Sequence, residues 1–147
     1  ENIQYDKFLE NIQLFERKNN LNLGYFEALF LIACQSFLDN NLDYFICEAG
    51  IGGLYDTTSI IQSKKVVITS ISRDHTELLG NELKEILGQK INVSKNINWL
   101  FTGDISDKLM NIINTDYKHI NLVSNIRDYL QLKKININAM FIINNNN

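Results

Sequence analysis

Apolar and polar positions along the chain change period twice. Over residues 5–18 the apolar side chains Tyr5, Phe8, Leu9, Ile12 and Phe15 recur at intervals of three and four, which predicts a helix. The polar run "NNLNLG" then breaks the period. Residues 25–39, "YFEALFLIACQSFLD", are apolar nearly all round and predict a second helix buried on more than one face.

Short continuous apolar runs take over after residue 42. "YFICE" (44–48) and "KVVITSI" (65–71) read as buried strands. The 16 residues between them suffice for a crossover through "DTTSIIQS", so the two strands are expected to lie parallel and as neighbours. A helix opening near Asn81 turns Leu83, Ile86 and Leu87 inward. "NWLFTG" (98–103) predicts a third strand, "ISDKLMNIINT" a helix capped by Ser106, and "HINLVS" (119–124) a fourth strand. Residues 135–143 read equally as a final helix or strand. Alternation of strand and helix predicts an α/β domain with a largely parallel sheet flanked by helices.

Composition narrows the class. The chain has 147 residues, enough for one domain with a real core, and 45% of them are hydrophobic. A net charge of −3 argues against a broad basic face for nucleic acid. No apolar run approaches the roughly 18 residues of a membrane span, and the first residues do not resemble a signal peptide. Cys34 and Cys47 both lie in apolar runs and read as reduced, buried thiols, so the cytoplasm is the expected compartment. Residues 144–147 are an Asn tract, expected to be a disordered tail after a domain over 1–143. The chain starts on Glu1, which suggests a piece of something longer.

Candidate chemistry concentrates at "CEAGIGGLYDTTS" (47–59). Glu48 closes the first strand, and Gly50, Gly52 and Gly53 follow it. Asp74 and His75 follow the second strand. Ligands in open α/β sheets bind beyond the carboxyl ends of the strands, and both segments fall there. A carboxylate and an imidazole on one rim can make a metal site, an acid–base pair or a hydrogen bond. The glycines allow close approach and can offer N–H groups to an anion. Taken singly, each feature has a plainer reading: "GIGG" as a tight turn, Asp56 as a helix cap, Lys90 as a solvated helix residue.

In combination the motifs resemble those of the folylpolyglutamate synthase/dihydrofolate synthase family of the Mur ligase superfamily. "YFE" (25–27), "EAGIGGLYDTTS" (48–59), "TSISRDHTELLG" (69–80) and "QKINVSK" (89–95) follow the family's order up to about residue 115. The resemblance implies a Mur-ligase-like central ATPase domain, related to phosphate-loop NTPases. It implies Glu48 and His75 as Mg2+ ligands beside ATP, and Lys90 as a carbamylated lysine supporting the metal. Gly50, Gly52, Gly53, Asp56 and Asp74 would lie near ATP and substrate. It further implies small-molecule partners only (ATP, a folate or dihydropteroate, and L-glutamate), joined through an acyl phosphate, with no nucleic acid and no membrane. By chemistry alone, Glu plus His suggests zinc or manganese. A Lys90 carbamate would add the hard oxygens that magnesium prefers.

Departures point the other way. Leu54 stands where the family has arginine, Ser59 where it has asparagine, and Gln89 where it has glutamate; Arg73 takes a usually apolar position. The family's phosphate loop with Gly-Lys-Ser/Thr lies upstream of the position matching residue 1, and this chain contains no Gly-Lys pair. The expectation is therefore a ligase fragment inactive by itself. The alternatives are a degenerate, non-catalytic remnant or a folded binding module.

Overall fold

The computed structural model describes the backbone of residues 2–124 and 139–143 and the side chains of residues 6–124. The expected Asn tail, 144–147, and the segment 135–138 lie outside these. Two compact units divide the chain, Glu1–Leu42 and Asp43–Asn147.

The first unit is a pair of helices, α1 (Asn2–Asn19) and α2 (Tyr25–Asp39). The turn between them is fastened by two glutamates. Glu16 accepts the Leu23 N–H at 2.7 Å, and Glu27 of "YFE" accepts the Gly24 N–H at the start of α2. Glu27 thus satisfies one of the orphan donors of a helix N-terminus. The expectation that α2 is buried on several faces is not met: Phe30 is buried, whereas Tyr25, Phe26 and Leu38 are exposed. Within this unit α2 has one partner helix, which covers one face. Phe8, Ile12, Phe15, Leu31 and Ile32 line a shallow apolar groove between the two.

The second unit is an α/β sheet. Its strands are β1 (Phe45–Glu48), β2 (Lys65–Ile68), β3 (Trp99–Thr102), β4 (Asn121–Val123) and β5 (Ala139–Ile143). Every pairing is parallel. Helices α3 (Thr76–Leu79), α4 (Leu83–Ile91) and α5 (Asp107–Asp116) fall between strands, with a 3-10 turn at Thr57–Ile60. Ser106 occupies the N-cap position of α5, but its side chain makes no capping hydrogen bond; its carbonyl accepts from Met110 N at 2.9 Å.

The core is built on β2 and β3. Val66, Ile68 and Leu100 have no exposed surface, and Val67 and Phe101 almost none. Ile86, Leu87, Lys90 and Ile91 form the buried stripe of α4, at the three- and four-residue spacing of one helix face. Burying each large aliphatic side chain of this core contributes about 1.5–3 kcal/mol.

Strand order corrects one expectation. The sheet runs β1-β5-β2-β3-β4, so β1 and β2 are parallel but not neighbours. Strand β5 lies between them, pairing Glu48 with Ile142 on one side and Val67 with Ile142 on the other. A connection of 16 residues can reach an adjacent strand position or skip one, and sequence spacing does not distinguish the two. The two strands are therefore about 9–10 Å apart, twice the usual inter-strand spacing.

Candidate functional site

The glycine loop after β1 is organised by one carboxylate. Asp56 Oδ2 accepts the N–H groups of Gly50 (3.0 Å) and Ile51 (3.1 Å). Its Oδ1 accepts from Thr58 N (2.9 Å) and Thr58 Oγ1 (2.7 Å), capping the 3-10 turn. Asp56 is thus saturated by its own loop. Gly50 N, which sequence reasoning offered to an anion, donates inward.

Gly52 and Gly53 are buried and serve different purposes. Gly52 has φ +68°, in the left-handed region that glycine adopts without strain. Gly53 needs to be glycine because of its neighbours: a Cβ there would stand 2.7 Å from the Gln89 carbonyl oxygen and 3.2 Å from that of Lys90. Leu54 N donates to the Gln89 carbonyl at 2.9 Å. The loop consequently rests on the last turn of α4, where Lys90 is.

Lys90 is 4% exposed. Burial pushes its ammonium below the ordinary lysine range, and the nearby negative charge of Asp74 partly opposes that shift. The plainer reading of Lys90 as a solvated helix residue does not hold. Asp74 and His75 follow β2. His75 has φ +47° and ψ +41°, a left-handed backbone unusual for a residue with a side chain, and stands at the N-cap position of α3. Its Nε2 lies 3.8 Å from Asp74 Oδ2 and its Nδ1 4.0 Å from Glu77 Oε1.

The structure therefore draws Gly52, Gly53, Lys90 and Asp74 toward one region and sets His75 beside Asp74. Glu48 is exposed at the carboxyl end of β1, on the same edge of the sheet but across β5 from the strand that leads to His75. Among the described residues no three His, Cys, Asp or Glu side chains cluster as metal ligands. Sequence reasoning missed Glu77, two residues beyond His75, and Leu79, whose side chain packs where a Cβ on Gly52 would fall. The available signals were local: an acid close to a histidine, and the leucine of the "LLG" motif.

The parallel α/β sheet flanked by helices matches the fold of solved structures of the Mur ligase family. No family model matches the chain. It is 39% identical over 90 residues to a probable folylpolyglutamate synthase of Schizosaccharomyces pombe, a match covering 60% of this chain and 18% of that protein. It is 38% identical over 71 residues to the dihydrofolate synthase/folylpolyglutamate synthase of Bacillus subtilis, covering 48% and 16%. Among solved structures, folylpolyglutamate synthase of Mycobacterium tuberculosis complexed with ADP and AMPPCP superimposes with a TM-score of 0.67 at 24% identity, over 82% of this chain and 30% of that one. An FPGS–AMPPCP–folate complex superimposes with a TM-score of 0.65 at 25% identity, over 79% and 28%. Over the matched stretch, the chain is similar to folylpolyglutamate and dihydrofolate synthases. It spans less than a fifth of the length of these curated relatives.

Proposed function

We propose that the chain carries the Glu48–His75–Lys90 rim of an ATP-dependent ligase that adds L-glutamate to a folate or dihydropteroate. The observation that supports this most strongly is the 90-residue similarity to a probable folylpolyglutamate synthase. That stretch would contribute to binding ATP, the folate or pteroate, and glutamate in a reducing, cytoplasmic setting. The described residues include no helix long and apolar enough to cross a membrane, and Cys34 and Cys47 are both outside any disulfide.

Magnesium fits this rim only as a shared ion. The described residues form no closed set of three ligands, but Mg2+ commonly takes one or two protein carboxylates and completes its shell with phosphate and water oxygens. Glu48 would supply the carboxylate, with His75 as the second proposed ligand. The ion would neutralise charge on the transferring phosphoryl group. Lys90 is poised for carbamylation in a specific sense: CO2 reacts with the neutral amine, and burial favours that form. Asp74 would orient the His75 ring. Gly52 and Gly53 would let the loop lie against α4 close to Lys90.

The 147 residues contain no Gly-Lys pair, so a phosphate loop of the Gly-Lys-Ser/Thr kind is not among them. We expect the purified chain to release no phosphate from ATP in the presence of folate or dihydropteroate and glutamate. Release dependent on both ATP and glutamate would overturn that expectation. The Lys90 assignment has its own readout: 13C-labelled bicarbonate should yield a carbamate resonance that disappears in Lys90→Met. Its absence from the unaltered chain would reject the assignment. The replacements at Leu54, Ser59 and Gln89 favour a second reading, a remnant that keeps the fold without catalysis. That reading also expects no phosphate release, but it expects no carbamate.

A further inference from the structure

His75 holds a backbone conformation that its side chain disfavours. Its φ of +47° and ψ of +41° are left-handed, where a Cβ crowds the following carbonyl oxygen. Among the described residues, the other non-glycine residues with positive φ are Asn20 and Asn41. A short amide side chain can offset the cost with a local hydrogen bond, whereas the His75 side chain makes no capping bond to α3. Its fastening comes from neighbours on both sides. Asp74 Oδ1 accepts the His75 N–H at 2.9 Å. The His75 carbonyl accepts the N–H groups of Leu78 and Leu79, both at 2.9 Å. Asp74 Oδ2, by contrast, stays 3.8 Å from Nε2 of the ring, beyond hydrogen-bond length. Asp74 therefore grips the His75 backbone more firmly than its ring.

The second fastening needs an anchor of its own. Helix α3 is a single turn, too short to hold itself in water. Leu79 supplies the anchor. It is buried, and its Cδ2 lies 2.6 Å from where a Cβ on Gly52 would stand, while Leu78 beside it is exposed. A disfavoured conformation persists where its surroundings over-determine it. We infer that Asp74 and Leu79 are positioning residues for His75: together they hold its left-handed backbone, Asp74 from the amide side and Leu79 by pinning α3 to the glycine loop. Backbone dihedrals set the direction of a Cβ, so releasing either fastening lets the imidazole swing away. Gly52 and His75, 23 positions apart in the chain, are then mechanically coupled. The held backbone rests on these contacts alone. Its consequence, an imidazole set in advance for the rim ion, rests on the proposed function.

NMR of the full chain tests the inference. A positive φ brings a residue's own amide proton close to its Hα, so His75 should give a strong NOE between the two. In Asp74→Ala that NOE should weaken to the level of ordinary residues, and exchange of the His75 amide should rise by about tenfold. Asp74→Asn keeps an oxygen that can accept the same bond and should retain the NOE, a rescue that a role for the charge alone would not give. Leu79→Ala should weaken the NOE with Asp74 untouched, whereas Leu79→Met, which keeps apolar bulk against Gly52, should preserve it. Amide protection at Leu100 and Phe101 reports whether the core of each variant is intact. If Leu79→Ala loses that protection, Leu79→Val makes the smaller cut. Four results would overturn the inference: an ordinary NOE for His75 in the unaltered chain, an unchanged NOE and exchange rate in Asp74→Ala, equal losses in Asp74→Asn and Asp74→Ala, or a His75 NOE indifferent to truncation of Leu79 in a variant with its core intact. Neither nucleotide nor metal enters these measurements, so they can fail while the ligase reading stands, or succeed while it falls.

Discussion

Adding one carbon at Gly53 should damage this fold more than its position in a loop would suggest. In Gly53→Ala the new Cβ would lie 2.7 Å from the Gln89 carbonyl oxygen, 3.0 Å from Val93 Cβ and 3.2 Å from the Lys90 carbonyl oxygen. Two of these atoms are backbone in a helix whose buried face is packed, so they cannot swing aside like the end of a flexible side chain. Overpacking of this kind costs about 1–3 kcal/mol. The loop would have to lift, which also endangers the 2.9 Å bond from Leu54 N to Gln89, worth about 0.5–1.5 kcal/mol. The expected loss is therefore about 2–4 kcal/mol, or a fall of about 5–15 °C in Tm for a chain of this size. Gly88→Ala is the matched control. It makes the same chemical change inside α4, at the residue before Gln89, where the nearest atom to the new Cβ is Tyr117 Oη at 3.7 Å, an ordinary contact. Removing a helix-interior glycine there should stabilise by about 0.5–1 kcal/mol. Urea denaturation followed by circular dichroism measures both. If Gly53→Ala shifts the midpoint no more than Gly88→Ala, or in the same direction, the loop does not rest on α4 as described.

Three further outcomes follow from particular contacts. Asp56→Ala removes the acceptor of four hydrogen bonds and should cost about 2–3 kcal/mol in the same assay, with Asp56→Asn intermediate because its amide nitrogen cannot accept. Thr102 Oγ1 is buried at the end of β3 without a hydrogen-bond partner among the described residues. Thr102→Val should thus be neutral or stabilise by up to about 1–3 kcal/mol, whereas Thr102→Ser, which keeps the hydroxyl and loses the methyl, should destabilise. Burial lowers the Lys90 pKa, so the unfolded chain binds that proton more readily than the folded one and stability rises with pH between the lowered value and 10.5. Lys90→Met should flatten this rise in denaturation midpoints measured across neutral to alkaline pH; an unchanged slope would mean that Lys90 is not its source.

The sequence by itself determined the elements and the chemistry-bearing loops. The three-and-four spacing of α1, the long apolar stretch of α2 and the apolar runs of β1 to β4 are local signals, because helix and strand each repeat over a few residues. Glu48, the glycines, Asp74 and His75 could be assigned to the carboxyl edge because each follows a strand that the pattern reveals. Tertiary structure alone decided which strands are neighbours. Parallel strands joined by crossovers leave no trace of pairing order in the chain, and β5, far along the sequence, enters between two strands that read as adjacent. The same holds for Lys90 and Asp56. A lysine in a helix and an aspartate before a turn look solvated and available in sequence. Packing put Lys90 in the interior beneath a glycine loop, and the loop's own N–H groups took both Asp56 oxygens. Burial and hydrogen-bond partners depend on segments distant along the chain, which is why only the folded molecule could assign them.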